Sequence, residues 1–509
     1  MLVKIILLLL FFGCMIGVGL YARKSTSSTN DFVLGGRNVG PWLSAFAYGT
    51  SYFSAVVFVG YAGQFGWKYG LASTWIGLGN AVLGSLLAWV AMGRRTRVMT
   101  HHLEVATMPD FFGKRYDSNV IKITASIIAF VFLIPYTASV YNGLSRLFGM
   151  AFDIPYTVCV VTMAVLTGIY VILGGYMATA INDFIQGIIM LVGIVAVIGA
   201  VLSGQGGFLE AVRKLSEIPS DVPVTMGQQG AFASFFGTDP LNLLGVIILT
   251  SLGTWGLPQM VHKFYAIKSE RAIKTGTIVS TFFAVIVSGG CYFLGGFGRL
   301  FDSEALYKAD GTVLYDAVVP TMLATLPDIL IGIVIVLVLS ASMSTLSSLV
   351  LTSASTLTLD FLKGNLVKDM DDKKQLIYIR VLIVFFIVLS VVLALNPPTF
   401  IAQLMGISWG ALAGAFLAPF LYGLYWKGVT KAGVWASFIC GVGITVSNMF
   451  LKFIASPINA GVVAMIAGLI VTPLVSLVTP KLENQFLGKI FMCYDNTVNV
   501  SKKEYLKED

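Results

Sequence analysis

Ala47-Tyr48-Gly49-Thr50-Ser51-Tyr52-Phe53-Ser54 interrupts one apolar stretch of this chain, and Thr250-Ser251-Leu252-Gly253-Thr254-Trp255-Gly256-Leu257-Pro258-Gln259 interrupts another. Each sits in a run of roughly 20 or more residues, long enough to cross a bilayer as a helix. Glycine lowers the cost of leaving helical geometry, and Pro258 lacks a backbone N–H and clashes with the turn before it. Unwound backbone is therefore predicted at both places. The two segments, in spans 40–66 and 243–265, are five spans apart and so cross in opposite orientations. Each begins a set of five spans, 40–203 and 243–425. That is the pattern of an inverted repeat with a midplane site between discontinuous helices, where free carbonyls hold cations and helix N-termini hold anionic groups. For either segment alone a simple kink is the commoner explanation; the matched positions favour a site.

Composition agrees. Of 509 residues, 57% are hydrophobic and 11% charged, against about 25% charged in an ordinary soluble domain. Mean hydropathy is +0.85, so lipid must cover much of the apolar surface and a soluble fold is excluded. The 53 glycines suit helices that pack closely in lipid, and no alternation of the kind a barrel needs is present. The five cysteines, Cys14, Cys159, Cys291, Cys440 and Cys493, are scattered singly, with no spacing for a disulfide framework or metal cage.

Apolar windows predict an all-α polytopic membrane protein of about 13 helices, near 2–21, 40–66, 70–93, 120–150, 154–173, 185–203, 243–265, 275–299, 329–359, 376–395, 399–425, 432–454 and 458–479. The organisation follows: a peripheral first helix in 1–30, the two repeats, an outside loop at 204–242, two peripheral helices in 432–479 and a tail at 480–509. The net charge of +8 collects in alternate loops. Arg23, Lys24 and Arg37 lie in 22–39; Arg94, Arg95, Arg97, Lys114 and Arg115 in 94–119; Lys263, Lys268, Arg271 and Lys274 in 263–276; Lys363, Lys368, Lys373, Lys374 and Arg380 in 360–380. Lys427, Lys431 and the tail lysines join that side. Basic loops stay inside, which puts the N-terminus outside, the C-terminus in the cytoplasm and the chain in the cell membrane; the same pattern argues against nucleic acid as partner. Residues 4–20 resemble a signal peptide in part, but the run passes directly into Arg23-Lys24, a stop-transfer flank.

A hydroxyl stripe supplies candidate ligands. Between Ser340 and Ser348 six of nine residues are Ser or Thr, and Ser340, Ser344, Ser347, Ser348 and Thr352 recur at helical spacing. Hydroxyl oxygens suit a hard, weakly charged cation such as Na⁺; the bland alternative is back-bonding to the i−4 carbonyl or helix–helix contact. Asp183, after Gly174-Gly175 and Asn182, is an acid at the edge of hydrocarbon, costly unless paired, although Asn182 and Asp183 also suit a helix cap. Tyr136, Ser139, Asn142 and Gly143 share a face near Pro135 and are candidates to line a solute pocket or a polar helix contact. Enzymatic templates fail: there is no G-x-x-x-x-G-K-[ST] loop, and His101, His102 and His262 build neither a metal pair nor a nucleophile–base dyad. There is likewise no Arg stripe for voltage sensing.

These motifs resemble the solute:sodium symporter family. Gly35-Gly36-Arg37-Asn38-Val39-Gly40-Pro41-Trp42 leads into the first interruption; Gly174-Gly175 runs through Asn182-Asp183-Phe184-Ile185-Gln186; Met343-Ser344-Thr345-Leu346-Ser347 lies in the stripe. Thr107-Met108-Pro109-Asp110-Phe111-Phe112, Leu257-Pro258-Gln259 with Lys263-Phe264, and Trp426-Lys427 follow in the family's order, from about residue 30 to 445. The resemblance, to a family that includes sodium/proline, sodium/pantothenate and sodium/glucose carriers, implies a five-plus-five inverted repeat of the amino-acid transporter type. It implies sodium bound by the carbonyls of Thr50, Phe53 and Ala341 and the hydroxyls of Ser344 and Thr345. In some members an aspartate and further serines hold a second sodium; they map onto Asp183, Ser344, Ser347 and Ser348. Where sodium/proline carriers have an aspartate after the serine of the first broken helix, this chain has Tyr52, and a glycine is replaced by Ala55, which weighs against proline.

The expectation is a secondary transporter coupling sodium to a small organic solute, an amino acid, a vitamin-like carboxylate such as pantothenate, or a sugar. The solute is expected beside Ser51, Ser54, Tyr136, Asn142, Thr254, Trp255 and Pro258. A proton-coupled carrier using Asp183 is the nearest alternative, followed by a solute-sensing protein of the same fold. Nothing in the sequence points to an obligate protein partner.

Overall fold

The computed structural model describes residues 2–23, 28–152, 154–363, 365–367 and 370–494. Lys24, Lys368 and the tail lysines Lys502, Lys503 and Lys507 lie outside the described residues. The described chain is helical, with only isolated bridges such as Val39–Ile267 in place of sheet. Among the described residues ten helices are long and apolar enough to cross a membrane, or up to eleven when the bent pair Pro240–Gly256 and Pro258–Ala266 is taken as one span.

Two of the ten are too long to cross once. Tyr156–Gly204 has 49 residues, which at 1.5 Å each is about 73 Å, more than twice the hydrocarbon thickness. It is divided at Gly175, whose φ of 55° and ψ of −148° are open only to glycine; a Cβ there would lie 2.7 Å from the Phe32 carbonyl oxygen. The 47-residue stretch Val56–His102 is similarly divided at Gly70, with φ 60° and ψ −141°. Its second part stays helical to His102, well past the expected end near residue 93, carrying Arg94, Arg95 and Arg97 out of the apolar zone.

Helix starts follow their caps. The Thr107 hydroxyl accepts from Asp110 N ahead of Met108–Arg115, Ser269 from Ala272 N ahead of Glu270–Gly295, and Thr430 from Gly433 N ahead of Lys431–Leu451. Burial separates centre from periphery: 94% of the apolar window of Ile401–Tyr425 is buried, against 22% for Ile5–Arg23. Ile401–Tyr425 packs against Asn119–Phe152, the turn Gly253–Gly256 and the two last long helices. The serine-rich helix Asp328–Thr356 is enclosed by Tyr156–Gly204, Asn119–Phe152 and Pro41–Tyr52. Backbones touch where glycines face each other: a Cβ on Gly66 would fall 2.0 Å from the Gly295 carbonyl oxygen.

Candidate functional site

Both interruptions break their helices. Pro41–Tyr52 ends at Phe53, which is extended at φ −106° and ψ 129°, and the chain resumes as π-helical turns over Val56–Tyr61. Phe53 N reaches back to the Thr50 carbonyl at 3.3 Å, while Val57 N and Phe58 N share the Ser54 carbonyl, 3.0 Å from each. The α-helical ladder therefore stops at Thr50, and the carbonyls there are open to other partners. In the second segment Pro240–Gly256 and Pro258–Ala266 meet at 48°. Leu257 is extended, and Pro258 opens the second part at its first position. Proline there gives up no hydrogen bond, so Pro258 acts by starting a helix rather than by bending one.

The serine helix fills the first break. Ser344 Oγ donates to the Thr50 carbonyl at 2.8 Å; Thr345 Oγ1 lies 3.1 Å from both the Phe53 and the Ala341 carbonyl oxygens. Ser344 Oγ is also 3.4 Å from the Ala341 carbonyl. Thr50, Phe53, Ala341, Ser344 and Thr345 thus bring five oxygens together, three carbonyls and two hydroxyls, all buried. The donors are hard and uncharged, a set suited to one monovalent cation and unsuited to soft metals. No group of three or more His, Cys, Asp or Glu arranged to hold a metal occurs among the described residues.

A second cluster joins Asp183 to the lower stripe. Ser347 Oγ bonds back to the Ser344 carbonyl at 2.9 Å within its own helix. Ser348 Oγ pairs with Ser51 Oγ at 2.8 Å and accepts from Lys263 Nζ at 2.9 Å. The same ammonium lies 3.6 Å from Asp183 Oδ2, and both side chains are buried, 2% and 0% exposed. The expectation of a loop at 263–276 fails for Lys263: Pro258 starts the helix about one and a half turns earlier and carries the lysine inside. The signal in the sequence was its place one and a half turns past a helix-starting proline.

The expected solute residues separate. Tyr136 meets Trp409 edge-on, ring centroids 5.9 Å apart, and Trp409 stacks on Tyr52 at 6.0 Å. Tyr52 OH donates to the Thr250 carbonyl, joining the two broken helices. Trp255 Nε1 donates to the Leu83 carbonyl at 3.0 Å, and Thr254 Oγ1 to the Ser251 carbonyl at 2.7 Å. Ser54 Oγ accepts from Val56 N at 3.1 Å, capping the resumed turns. Ser51 belongs to the lysine cluster instead. Asn142 stands elsewhere: it accepts from Tyr156 OH and lines a cavity of about 370 Å³ with Arg146, Lys308 and Asp316. Six residues, about 1.7 turns, separate it from Tyr136, which turns the two side chains about 120° apart around the helix. In that cavity burial raises the Asp316 carboxyl to about 6.

Several residues of this centre escaped the sequence reading. Asn80 Oδ1 accepts from Thr250 Oγ1 at 2.9 Å and Ser251 Oγ at 3.0 Å, while its Nδ2 donates to Ser288 Oγ at 3.2 Å. An amide alone in an apolar run was the available cue. Tyr61 OH, Gln64 Oε1 and Trp409 Nε1 are buried without a hydrogen-bond partner among the described residues, groups that a polar ligand would satisfy.

The sequence model of the sodium:solute symporter family matches residues 32–441. A sodium/proline symporter of Staphylococcus aureus (strain JH9) is 30% identical over 504 residues, covering 94% of this chain and 93% of that protein. The same figures hold for the sodium/proline symporter of strain NCTC 8325 / PS 47. Among solved structures, a substrate-bound, outward-open Na⁺-coupled sialic acid symporter superposes with a TM-score of 0.76 at 17% identity, over 94% of this chain and 98% of that one. A nucleobase-cation-symport-1 family transporter in a closed conformation gives 0.51 at 14% identity, over 90% and 97%. The solved structures share the fold; the match over most of the length, with broken helices and a carbonyl–hydroxyl cluster where the family's motifs lie, makes this chain a member of the sodium:solute symporter family.

Proposed function

We propose that the chain carries a small organic solute into the cell by sodium symport, working by alternating access. The carrying observation is the convergence of five oxygens, from Thr50, Phe53, Ala341, Ser344 and Thr345, across the first break. A sodium ion there links Pro41–Tyr52 to the serine helix, replacing hydroxyl–carbonyl bonds by ion contacts and ordering the pocket beside it. The solute binds between the broken helices, near Tyr136, Thr254 and Trp255, with Tyr52 and Trp409 as its aromatic walls. Tyr52 in place of an aspartate favours a solute other than proline, although the relatives of 30% identity are sodium/proline symporters.

The chain crosses thirteen times when Gly70 and Gly175 each divide two spans and Pro240–Ala266 counts as one. The two sets of five are related as an inverted repeat. Supporting a cytoplasmic side, Arg94 pairs with Glu270 at 2.6 Å and Arg97 bonds the carbonyls of Ile267 and Lys268, so basic loops that the sequence assigned to one face do meet. That orientation leaves the N-terminus outside in the cell membrane.

The driving force is ample. One charge moving inward at 100 mV supplies about 2.3 kcal/mol, and a tenfold sodium gradient adds about 1.4 kcal/mol. Together they sustain a solute ratio of several hundred, on the order of e to the power 3.7/0.59. The test is uptake of a solute library into proteoliposomes under a sodium gradient, with potassium and pH gradients as controls. Sodium-dependent accumulation of one compound is expected; accumulation driven only by the pH gradient refutes the sodium site.

A further inference from the structure

Asp183 is wholly buried, and neither carboxylate oxygen has a hydrogen-bond partner among the described residues. A buried carboxylate in that state is tolerable only beside a cation. The cation present is Lys263 Nζ, 3.6 Å from Asp183 Oδ2, 2.9 Å from Ser348 Oγ and 5.2 Å from the centroid of the Tyr176 ring. Carboxylate, serine hydroxyl and ring face surround the ammonium as they would a small ion. Ser347, another residue in reach of that position by sequence, spends its proton on its own helix.

We infer that Lys263 is the resident cation of this second site, its ammonium occupying the place between Asp183 and the serine helix that a second sodium would need, so that the chain binds one sodium and not two. The inference rests on the reading of Thr50, Phe53, Ala341, Ser344 and Thr345 as the sodium site. One carboxylate balances one cation, and a sodium added beside the ammonium would set two like charges side by side against that single carboxylate in a buried site. Tethering also changes what the site does. An ammonium fixed to Pro258–Ala266 cannot dissociate, so it is a permanent strut from the second broken helix to Asp183 and Ser348. Through the Ser348–Ser51 contact of 2.8 Å it reaches the first break, one residue from the Thr50 carbonyl.

Equilibrium binding of ²²Na⁺ to the purified full-length protein, with no solute present, tests this. Wild type is expected to bind one ion per chain and Ser344→Ala/Thr345→Ala to lose it over the same concentration range. Lys263→Met frees the Asp183 carboxylate and is expected to bind two, returning to one in Lys263→Met/Asp183→Asn. Wild type binding two ions, or a monodisperse Lys263→Met protein still binding one, overturns the inference and leaves the sodium reading intact. Retention of the wild-type ion in Ser344→Ala/Thr345→Ala with its loss in Asp183→Asn overturns it as well, since the ion then sits where the lysine was placed. No ion in wild type refutes the underlying sodium reading itself. If Lys263→Met does not fold, the wild-type count and the neutral pair Lys263→Met/Asp183→Asn, expected to bind one, still decide.

Discussion

Replacing Ser344 and Thr345 by alanine should remove two of the five oxygens gathered at the first break. Each hydroxyl donates to carbonyls, Ser344 to Thr50 at 2.8 Å and Thr345 to Phe53 and Ala341 at 3.1 Å. Losing such neutral bonds costs about 1 kcal/mol each, whereas a contact to a charged group is worth about 1.5–3 kcal/mol. The ion-bound state therefore loses more, by about 0.5–2 kcal/mol per residue and roughly 2.5 kcal/mol for the pair. That is about a 60-fold weaker sodium affinity, at about 1.4 kcal/mol per tenfold. Sodium-dependent thermal stabilisation of the purified protein reads this directly, with choline chloride as the ionic control. At sodium equal to about 100 times the wild-type Kd, stabilisation is about 2.7 kcal/mol in wild type; a 60-fold weaker variant retains about 0.6 kcal/mol by the same relation. Thr345→Ser keeps the oxygen and should stay within about threefold of wild type. Full sodium stabilisation in the double alanine variant would refute the assignment of these hydroxyls.

Gly66→Ala should abolish folding or cost about 3 kcal/mol or more, because its Cβ meets the Gly295 backbone at 2.0 Å; Gly13→Ala, with nothing within 4 Å, should be silent in the same thermal assay. Asn80→Ala strands the Ser251 hydroxyl, while that of Thr250 keeps the Val246 carbonyl at 2.8 Å; it should lower stability by about 1–3 kcal/mol, and an unchanged melting midpoint would sever Asn80 from the second break. Asp316, raised by burial to about 6, holds its proton in the folded protein where the unfolded chain has lost it near pH 4. Its contribution is thus most favourable at low pH and falls as pH rises from about 4 to about 6, by about 3 kcal/mol in all. Asp316→Asn should accordingly be more stable than wild type at pH 7.5 and no more stable at pH 4; an equal gain at both would refute the burial effect.

What was legible in the sequence was periodic, compositional or local. Apolar length and scarce charge are enough to demand a helical membrane protein, because backbone polar groups in lipid must be satisfied within the segment. The Gly253–Pro258 run marks where a helix stops, since those residues act on the backbone within a turn of themselves. The serine stripe announces a polar face, and the resemblance to a family assigns it to sodium. That Ser344 and Thr345 reach the Thr50 and Phe53 carbonyls requires residues 294 and 292 positions apart to meet, which no local pattern contains. The same limit misplaced Asn142, whose partner Tyr156 belongs to the next helix. It also hid Lys263, which reads as a loop charge until Asp183 and Ser348 are brought around it. A lone charge is recognised as buried only when its counter-charge is in view, and here the counter-charge lies eighty residues away in the chain, as the difference between positions 263 and 183. Sequence alone therefore determined the solvent, the broken helices and the kind of ligand. Tertiary packing alone decided which oxygens converge and which cation Asp183 faces, because both depend on long-range contacts made only when the helices assemble.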